Sequence, residues 1–210
     1  MQHDLEAIIF DLGGVIINLD YNRTILELAK AMGASPNTIA MATTQHDIFH
    51  EFERGKITND EFLEFLDGFT PKDISRDTLI HCWNAMLLDI PAERIALLKR
   101  LSEKYRLFVL SNTNDIHIRD FNRILKEAHG YTSLQDIGVF EKVYLSYEVG
   151  HRKPDTEIFS YVVNDAGLIP GRTLFLDDGL PNLEGAKQVG LLTEHVRPDE
   201  RTILDIFANE

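Results

Sequence analysis

A short apolar run that stops at an aspartate, Ile-Ile-Phe-Asp-Leu-Gly-Gly at positions 8–14, constrains this chain more than any other segment. The apolar residues are consecutive, as in a strand of a parallel sheet covered on both faces, and the two glycines predict a turn. Asp11 therefore falls at the carboxyl end of a strand. Ligands of open parallel α/β sheets bind in the crevice outside those ends, so we expect this carboxylate to take part in chemistry rather than packing.

Similar apolar runs recur along the chain with helical patterns between them. The predicted strands are Ala7–Phe10, Leu107–Leu110, Val143–Leu145 and Thr173–Leu176. Helical periodicity separates them at residues 95–101, 116–128 and 158–166. A repeated strand–helix order folds as a parallel sheet with helices on both faces. We therefore predict an α/β protein with a Rossmann-like, three-layer α/β/α core formed by residues 1–18 and 91–210.

Residues 19–90 interrupt this order, because they contain several short amphipathic stretches and no convincing strand. Apolar residues at helical spacing stand at Phe62, Phe65, Leu66 and Phe69, and the Thr58/Glu61 spacing ahead of them is that of a capping box. Helical stripes of aromatic residues usually pack inside a bundle. The segment 19–90 is therefore predicted to form a separate helical bundle that is inserted into the core.

The charge and apolar content of the chain limit the classes of partner that it can bind. Its 34 acidic and 21 Lys and Arg residues give a net charge of −13, which disfavours nucleic acid as a partner, since phosphate backbones bind clustered Lys and Arg. No apolar run approaches the roughly 20 residues that span a bilayer, and the first ten residues do not resemble a secretion signal. We expect a cytoplasmic protein that binds neither nucleic acid nor membranes, with its single cysteine, Cys82, packed in a core.

Chemistry-bearing residues also stand at three further predicted strand ends: Ser111-Asn112, Lys153 and Asp177-Asp178. Each has an ordinary alternative role, namely turn formation for Ser-Asn, a solvated surface position for Lys and helix capping for paired Asp. Their arrival at strand ends together with Asp11 favours a phosphoryl site instead. Asp11 would attack phosphorus, Ser111 and Asn112 would hydrogen-bond the phosphoryl oxygens, Lys153 would neutralise charge, and the Asp pair would hold Mg²⁺.

These four segments resemble the motifs of the haloacid dehalogenase superfamily. The matching residues are Asp11-Leu12-Gly13-Gly14-Val15, Ser111-Asn112, Lys153-Pro154 and Asp177-Asp178. The resemblance spans nearly the whole chain, and residues 19–90 look like the family's helical cap, which closes over the site and selects substrates. Three segments look like the bacterial branch that hydrolyses α-D-glucose 1-phosphate: Phe10-Asp11-Leu12-Gly13, Glu53-Arg54-Gly55-Lys56-Ile57-Thr58 and Leu110-Ser111-Asn112-Thr113-Asn114.

The resemblance implies a role for each motif residue. Asp11 would be both nucleophile and Mg²⁺ ligand, Ser111 would bind phosphate, and Lys153 would balance charge. The remaining metal ligands would be Asp178 directly, Asp177 directly or through water, and the backbone carbonyl of Gly13.

One position departs from the family pattern. Most phosphatases of this superfamily carry a second aspartate two residues after the nucleophile, which protonates the leaving oxygen, but here that position is Gly13. A general acid typically contributes about 10²–10⁴ in rate. The sequence therefore indicates low activity, a good leaving group or a substitute donor. A sugar 1-phosphate is compatible with this departure, because an anomeric oxygen leaves more readily than an ordinary alcohol.

Four residues of the predicted cap, Tyr21, Arg23, His50 and Glu53, are expected to contact the substrate. His46, His50 and Glu53 fall in one predicted helix, from which one of them could supply the missing proton. The four-residue spacing of His46 and His50 also permits a metal pair, but without a third ligand it is more typical of an ordinary surface or core pair.

The sequence thus predicts a Mg²⁺-dependent phosphomonoesterase that forms an aspartyl-phosphate and acts on a small phosphorylated metabolite, a sugar phosphate such as glucose 1-phosphate. Three alternatives stay open. A 2-haloacid dehalogenase uses the same aspartate and needs no proton donor, but gives Asp177 and Asp178 no metal to hold. A phosphomutase relies on the acid/base group that Gly13 replaces. A non-catalytic phosphate-binding protein would not require a nucleophile.

Overall fold

The computed structural model describes residues 4–70 and 74–210, apart from the side chains of residues 44 and 45. A single sheet of five parallel strands occupies its centre, in the order β3-β2-β1-β4-β5. The strands are β1 (Ala7–Phe10), β2 (Arg106–Ser111), β3 (Phe140–Leu145), β4 (Thr173–Asp177) and β5 (Leu192–His195). The chain runs outward from β1 to β3 and resumes with β4 on the other side of β1. The strand order therefore reverses beside β1, which opens a crevice at its carboxyl end.

Helices surround this sheet and fill the segment between β1 and β2. The first five are α1 (Tyr21–Met32), α2 (Pro36–Gln45), α3 (Ile48–Glu53), α4 (Asn59–Asp67) and α5 (Arg76–Asn84). The others are α6 (Ala92–Ser102), α7 (Asp115–His129), α8 (Ser146–Val149), α9 (Thr156–Asp165), α10 (Leu180–Gln188) and α11 (Ile203–Ile206). Single 3₁₀ turns occur at Gln135–Ile137 and Pro170–Arg172. None of the helices in the described part of the chain is long and apolar enough to cross a membrane.

The two faces of the sheet carry separate hydrophobic clusters. Successive side chains of a strand point to opposite faces, so Ile8 and Phe10 pack with residues of α6 and α7, whereas Ala7 and Ile9 pack with residues of α9 and α10. All four are at most 1% exposed. This burial on both faces explains why the strands read as continuous apolar runs, and it confirms the predicted three-layer α/β/α core.

Helices α1 to α5 enclose a third hydrophobic cluster, to which α7 also contributes Ile116. Phe52 and Phe62 stack at its centre, with ring centroids 4.1 Å apart. The capping box begins α4 as predicted, because Glu61 N–H donates to Thr58 Oγ1 and Thr58 N–H donates to the Glu61 carboxylate. The helices are those expected of a cap, while the domain limits at residues 19 and 90 stay a prediction.

The predicted helix that was to hold His46, His50 and Glu53 together is divided in the structure. Helix α2 ends at Gln45 and α3 begins at Ile48, and His46 between them has extended backbone with φ −102° and ψ 120°. His46 is exposed and packs edge-on against Phe65. The two histidines therefore do not share a helix face, and their spacing does not make the metal pair that one helix would allow.

Candidate active site

Asp11 directly follows β1 in the crevice where the strand order reverses. Its backbone N–H donates to the carbonyl of Leu176 on β4 (2.8 Å), which fixes its position against the sheet. The residue is 8% exposed. Its Oδ1 accepts a hydrogen bond from Leu12 N–H (2.6 Å) and lies 2.8 Å from Lys153 Nζ. Oδ1 is thus held in place by two contacts, whereas Oδ2 makes neither of them.

Lys153 reaches the same crevice from a loop, and not from the strand end that the sequence predicted. It does not stand at a strand end, because β3 is followed by helix α8, which ends at Gly150 in the left-handed conformation before the chain returns to the sheet. The Lys153 side chain is 1% exposed, with Nζ 2.8 Å from Asp11 Oδ1 and 2.6 Å from Asp177 Oδ2. This buried ammonium joins two carboxylates, so its loss would leave both charges uncompensated.

The side chain of Asn112 positions Lys153. Asn112 Nδ2 donates to the Lys153 carbonyl and Asn112 Oδ1 accepts from the Lys153 backbone N–H, each at 2.8 Å. Both ends of the amide are therefore engaged with the loop that carries the lysine. Ser111, the last residue of β2, is 3% exposed and lines the cavity described below.

Asp177 and Asp178 differ in their surroundings although they are adjacent. Asp177 is fully buried, and its Oδ1 accepts from Gly179 N–H (2.7 Å) and Asn182 Nδ2 (2.8 Å), while Oδ2 faces Lys153. Asp178 is less buried and its carboxylate approaches the turn after β1. A Cβ on Gly14 would lie 2.5 Å from Asp178 Oδ2, and Gly14 has a φ of 69°. Glycine at this position is therefore required both by the close carboxylate and by the backbone.

Three carboxylates converge here. Oxygens of Asp11, Asp177 and Asp178 all lie within 4.8 Å of one another. Burial and the neighbouring carboxylates raise the pKa of Asp11, against the opposing effect of Lys153, and burial with the charge of Asp177 raises that of Asp178. One ammonium does not offset three carboxylates, so a further cation would stabilise their ionised forms. A hard divalent ion such as Mg²⁺ fits this set of oxygen donors.

A cavity of about 390 Å³ opens above these carboxylates, between the crevice and helices α1, α3 and α5. Of the four residues expected to contact the substrate, Tyr21, His50 and Glu53 line this cavity, whereas Arg23 is exposed on α1 and is not part of the lining. Partial burial and the charges of Asp11 and Asp178 raise the pKa of the Tyr21 hydroxyl. Glu53 is not free, since its carboxylate accepts a hydrogen bond of 2.7 Å from Arg152 Nε.

The space beside Gly13 is filled by Leu19. A Cβ on Gly13 would lie 2.5 Å from Leu19 Cδ1, and both residues line the cavity. The position at which the family pattern has an acid is thus occupied by an apolar side chain that comes from farther along the chain. The absence of an acid at position 13 is part of the packing of this site.

Among the cavity residues that sequence reasoning missed are Trp83, His117 and Arg152, which bear on the chemistry of the site. Arg152 had a signal, because it is adjacent to Lys153. His117 follows the Ser111-Asn112 segment closely and could have been considered with it. Trp83 had none, since an aromatic residue in an amphipathic helix is typical of core packing.

Comparisons with known proteins find a family model and a relative that match this chain over most of its length. The model of the family described as "haloacid dehalogenase-like hydrolase" matches residues 5–190. A D-ribitol-5-phosphate phosphatase of Bacteroides thetaiotaomicron is 30% identical over 194 residues, which cover 90% of each chain.

Two solved structures show the same fold over nearly the whole chain. A wild-type HAD family enzyme from Bacteroides thetaiotaomicron, in complex with magnesium and inorganic phosphate, is 36% identical and covers 93% of this chain and 96% of its own, with a TM-score of 0.81. A predicted HAD-like family hydrolase from Porphyromonas gingivalis is 30% identical and covers 98% of both chains, with a TM-score of 0.86. The chain therefore belongs to the haloacid dehalogenase-like hydrolase family.

Proposed function

We propose that this protein is a Mg²⁺-dependent phosphomonoesterase in which Asp11 is the nucleophile. The observation that carries the proposal is the position of Asp11 at the end of β1, with Lys153 on one oxygen and the Asp177–Asp178 pair beside it. The phosphatase relative and the neighbour solved with magnesium and inorganic phosphate support the same chemistry.

The residues divide into metal ligands and residues that position others. The proposed Mg²⁺ ligands are the carboxylates of Asp11 and Asp178 and the backbone carbonyl of Gly13. Both oxygens of Asp177 are engaged by Lys153, Gly179 and Asn182, which favours a supporting role for Asp177 or contact through water. Bound Mg²⁺ would offset the charge on the phosphoryl oxygens and on the attacking carboxylate.

In the first step, Asp11 Oδ2, which contacts neither Leu12 N–H nor Lys153, attacks phosphorus. The Oδ2–P bond forms as the bond from phosphorus to the ester oxygen breaks, and that oxygen leaves with the electron pair and takes up a proton. Water then attacks the aspartyl-phosphate, the Oδ2–P bond breaks, and the Asp11 carboxylate and inorganic phosphate are released. Ser111 and Lys153 hold the phosphoryl oxygens throughout, so positioning and charge supply most of the catalysis.

We infer that the substrate is a small sugar or polyol phosphate. The cavity of about 390 Å³ is lined by both polar and aromatic side chains from the core and the helices above it, which suits a short hydroxylated carbon chain. Two substrates are the first to compare. Glucose 1-phosphate follows from the motifs of the sequence, and ribitol 5-phosphate is the substrate named for the relative.

The proposal is tested by phosphate release from a panel of sugar, polyol and nucleotide phosphates with Mg²⁺ or with EDTA. We expect turnover that requires Mg²⁺ and that falls by more than about 10³-fold in D11N. D199N, a change at an exposed aspartate outside the cavity lining, is the matched control and should keep full activity. Halide release from 2-haloacids with no phosphate release from any ester would instead identify a dehalogenase.

A further inference from the structure

One wall of the cavity is a stacked pair of rings that joins two parts of the molecule. Trp83 lies on α5 and His117 on α7, with ring centroids 5.0 Å apart and planes inclined by 12°. Both residues line the cavity. The pair therefore borders the space that the leaving group of a phosphate ester would fill, since the phosphoryl group itself sits at Asp11.

A hydrogen bond to Asn84 also orients the ring of His117. His117 Nδ1 lies 2.8 Å from Oδ1 of Asn84, which is 8% exposed and belongs to α5. An amide oxygen only accepts hydrogen bonds, so Nδ1 carries the proton and the neutral ring presents Nε2 as an acceptor. Burial lowers the pKa of His117 to about 4, although Asp120 opposes the effect, so the ring is neutral near pH 7.

The same stack also holds a donor without a partner. Trp83 is 8% exposed, and its indole Nε1–H is buried and has no hydrogen-bond partner among the described residues. Because this nitrogen is inaccessible, Trp83 offers a ligand in the cavity its ring and not this donor. A ligand beside the stack would find an acceptor in the imidazole of His117. This acceptor matches a hydroxyl group, which can donate a hydrogen bond.

We propose that His117 is a specificity-determining residue whose Nε2 accepts a hydrogen bond from a hydroxyl of the substrate's leaving group. This inference rests on the proposed phosphatase function and deepens it, because it assigns the substrate a hydroxylated leaving group. Asn84 and Trp83 act as positioning residues for the imidazole. The neutral ring has no proton on Nε2 to donate, so His117 does not replace the general acid that is missing at position 13. Its contribution is recognition rather than proton transfer.

Two substitutions separate the functions of the two ring nitrogens. The amide of H117N can reach the position of Nδ1 and contact Asn84 but not extend to that of Nε2, whereas the amide of H117Q can extend to the position of Nε2. The experiment measures kcat/KM for ribitol 5-phosphate, which has a hydroxylated leaving group, and for p-nitrophenyl phosphate, whose leaving group has no hydroxyl to donate. The ratio to compare is kcat/KM for ribitol 5-phosphate divided by kcat/KM for p-nitrophenyl phosphate. We expect H117N to lower this ratio by about tenfold, the effect of one hydrogen bond, whereas H117Q should keep a ratio close to that of the wild type.

Thermal melting of each variant shows whether it is folded, and H117F, which keeps an aromatic ring against Trp83, replaces H117N if that variant does not fold. An equal loss on both esters, or a ratio unchanged in both H117N and H117F, would overturn the role of His117 and leave the phosphatase intact. Turnover of neither ester by the wild type, with turnover of none of the wider panel, would overturn the proposed function together with this role.

Discussion

At the scale of single residues, Gly13 and Leu19 show how packing sets the chemistry of the site. Leu19 Cδ1 would lie 2.5 Å from a Cβ at position 13, so an acidic side chain there would have to displace it. Without a proton donor at this position, the leaving oxygen departs as a more basic anion. The rate should therefore depend steeply on the pKa of the leaving group.

The prediction is that an aryl phosphate is hydrolysed much faster than an alkyl phosphate by the wild type, and that G13D/L19A narrows this difference by about 10²-fold. L19A alone removes the apolar side chain without adding an acid and is the matched control. The measurement is kcat/KM over a series of esters with different leaving-group pKa values. A slope that stays the same in G13D/L19A would show that proton donation at this position does not limit the reaction.

Asn112 shows which residue roles sequence reasoning could not supply. The sequence placed Asn112 beside Ser111 at a strand end and suggested a contact with phosphate. In the structure both ends of its side chain bind the backbone of Lys153, 41 positions along the chain. No local pattern reports such a partner. The motif residues could be found because each stands in a distinctive local context, whereas the contacts that orient them depend on the whole fold.

At the scale of elements, helix α3 is tied to the loop that carries Lys153. Glu53 pairs with Arg152 (2.7 Å), and Arg54 pairs with Asp155 (2.9 Å). These two pairs, the α3 ion pairs, flank the lysine in the sequence. The backbone of Gly55 also approaches α8 closely, with a φ of 65° and no room for a Cβ beside the Tyr147 carbonyl. A movement of α3 would therefore change the surroundings of Lys153.

We predict that R54A loosens α3 without unfolding the protein. A partly exposed ion pair contributes about 0.2–1 kcal/mol, so the melting temperature should fall only slightly, while amide hydrogen exchange in residues 48–55 should accelerate several-fold because local opening requires less free energy. R123A is the control, since Arg123 pairs with Asp120 and Glu127 within α7. Unchanged exchange in R54A relative to the wild type would show that α3 is held by its apolar contacts alone.

The elements that could be predicted are those with a strong local pattern. Strands β1, β2 and β4 are buried on both faces, and their apolar runs were recognised directly. Strand β5 was missed because its sequence is Leu-Thr-Glu-His, and Leu192 is 43% exposed at the edge of the sheet. The break at His46 was missed because no Gly or Pro marks it. Edge strands and short helix ends depend on tertiary neighbours that a sequence pattern does not contain.

At the scale of the whole molecule, the helices above the sheet and the core meet at His117, and this contact makes stability depend on pH. The imidazole is packed between Trp83 and Asn84 of α5, and burial lowers its pKa to about 4, whereas an unfolded histidine titrates near its ordinary value of 6.5. Between these values the unfolded chain binds a proton that the folded protein does not. Folding is therefore disfavoured increasingly as the pH falls from about 6.5 to about 4.

We predict that His117 contributes roughly 3 kcal/mol to the loss of unfolding free energy over this interval, since each unit of pKa difference corresponds to about 1.4 kcal/mol. The carboxylates also titrate there, so the measurement is a comparison of urea unfolding by the wild type and H117N from pH 8 to pH 4. Asparagine does not titrate, so below pH 6.5 the unfolding free energy of the wild type should fall relative to that of H117N. A difference that stays constant over the whole range would show that the imidazole takes up a proton in the folded state as readily as in the unfolded chain, and that the junction between α5 and α7 accommodates its charge.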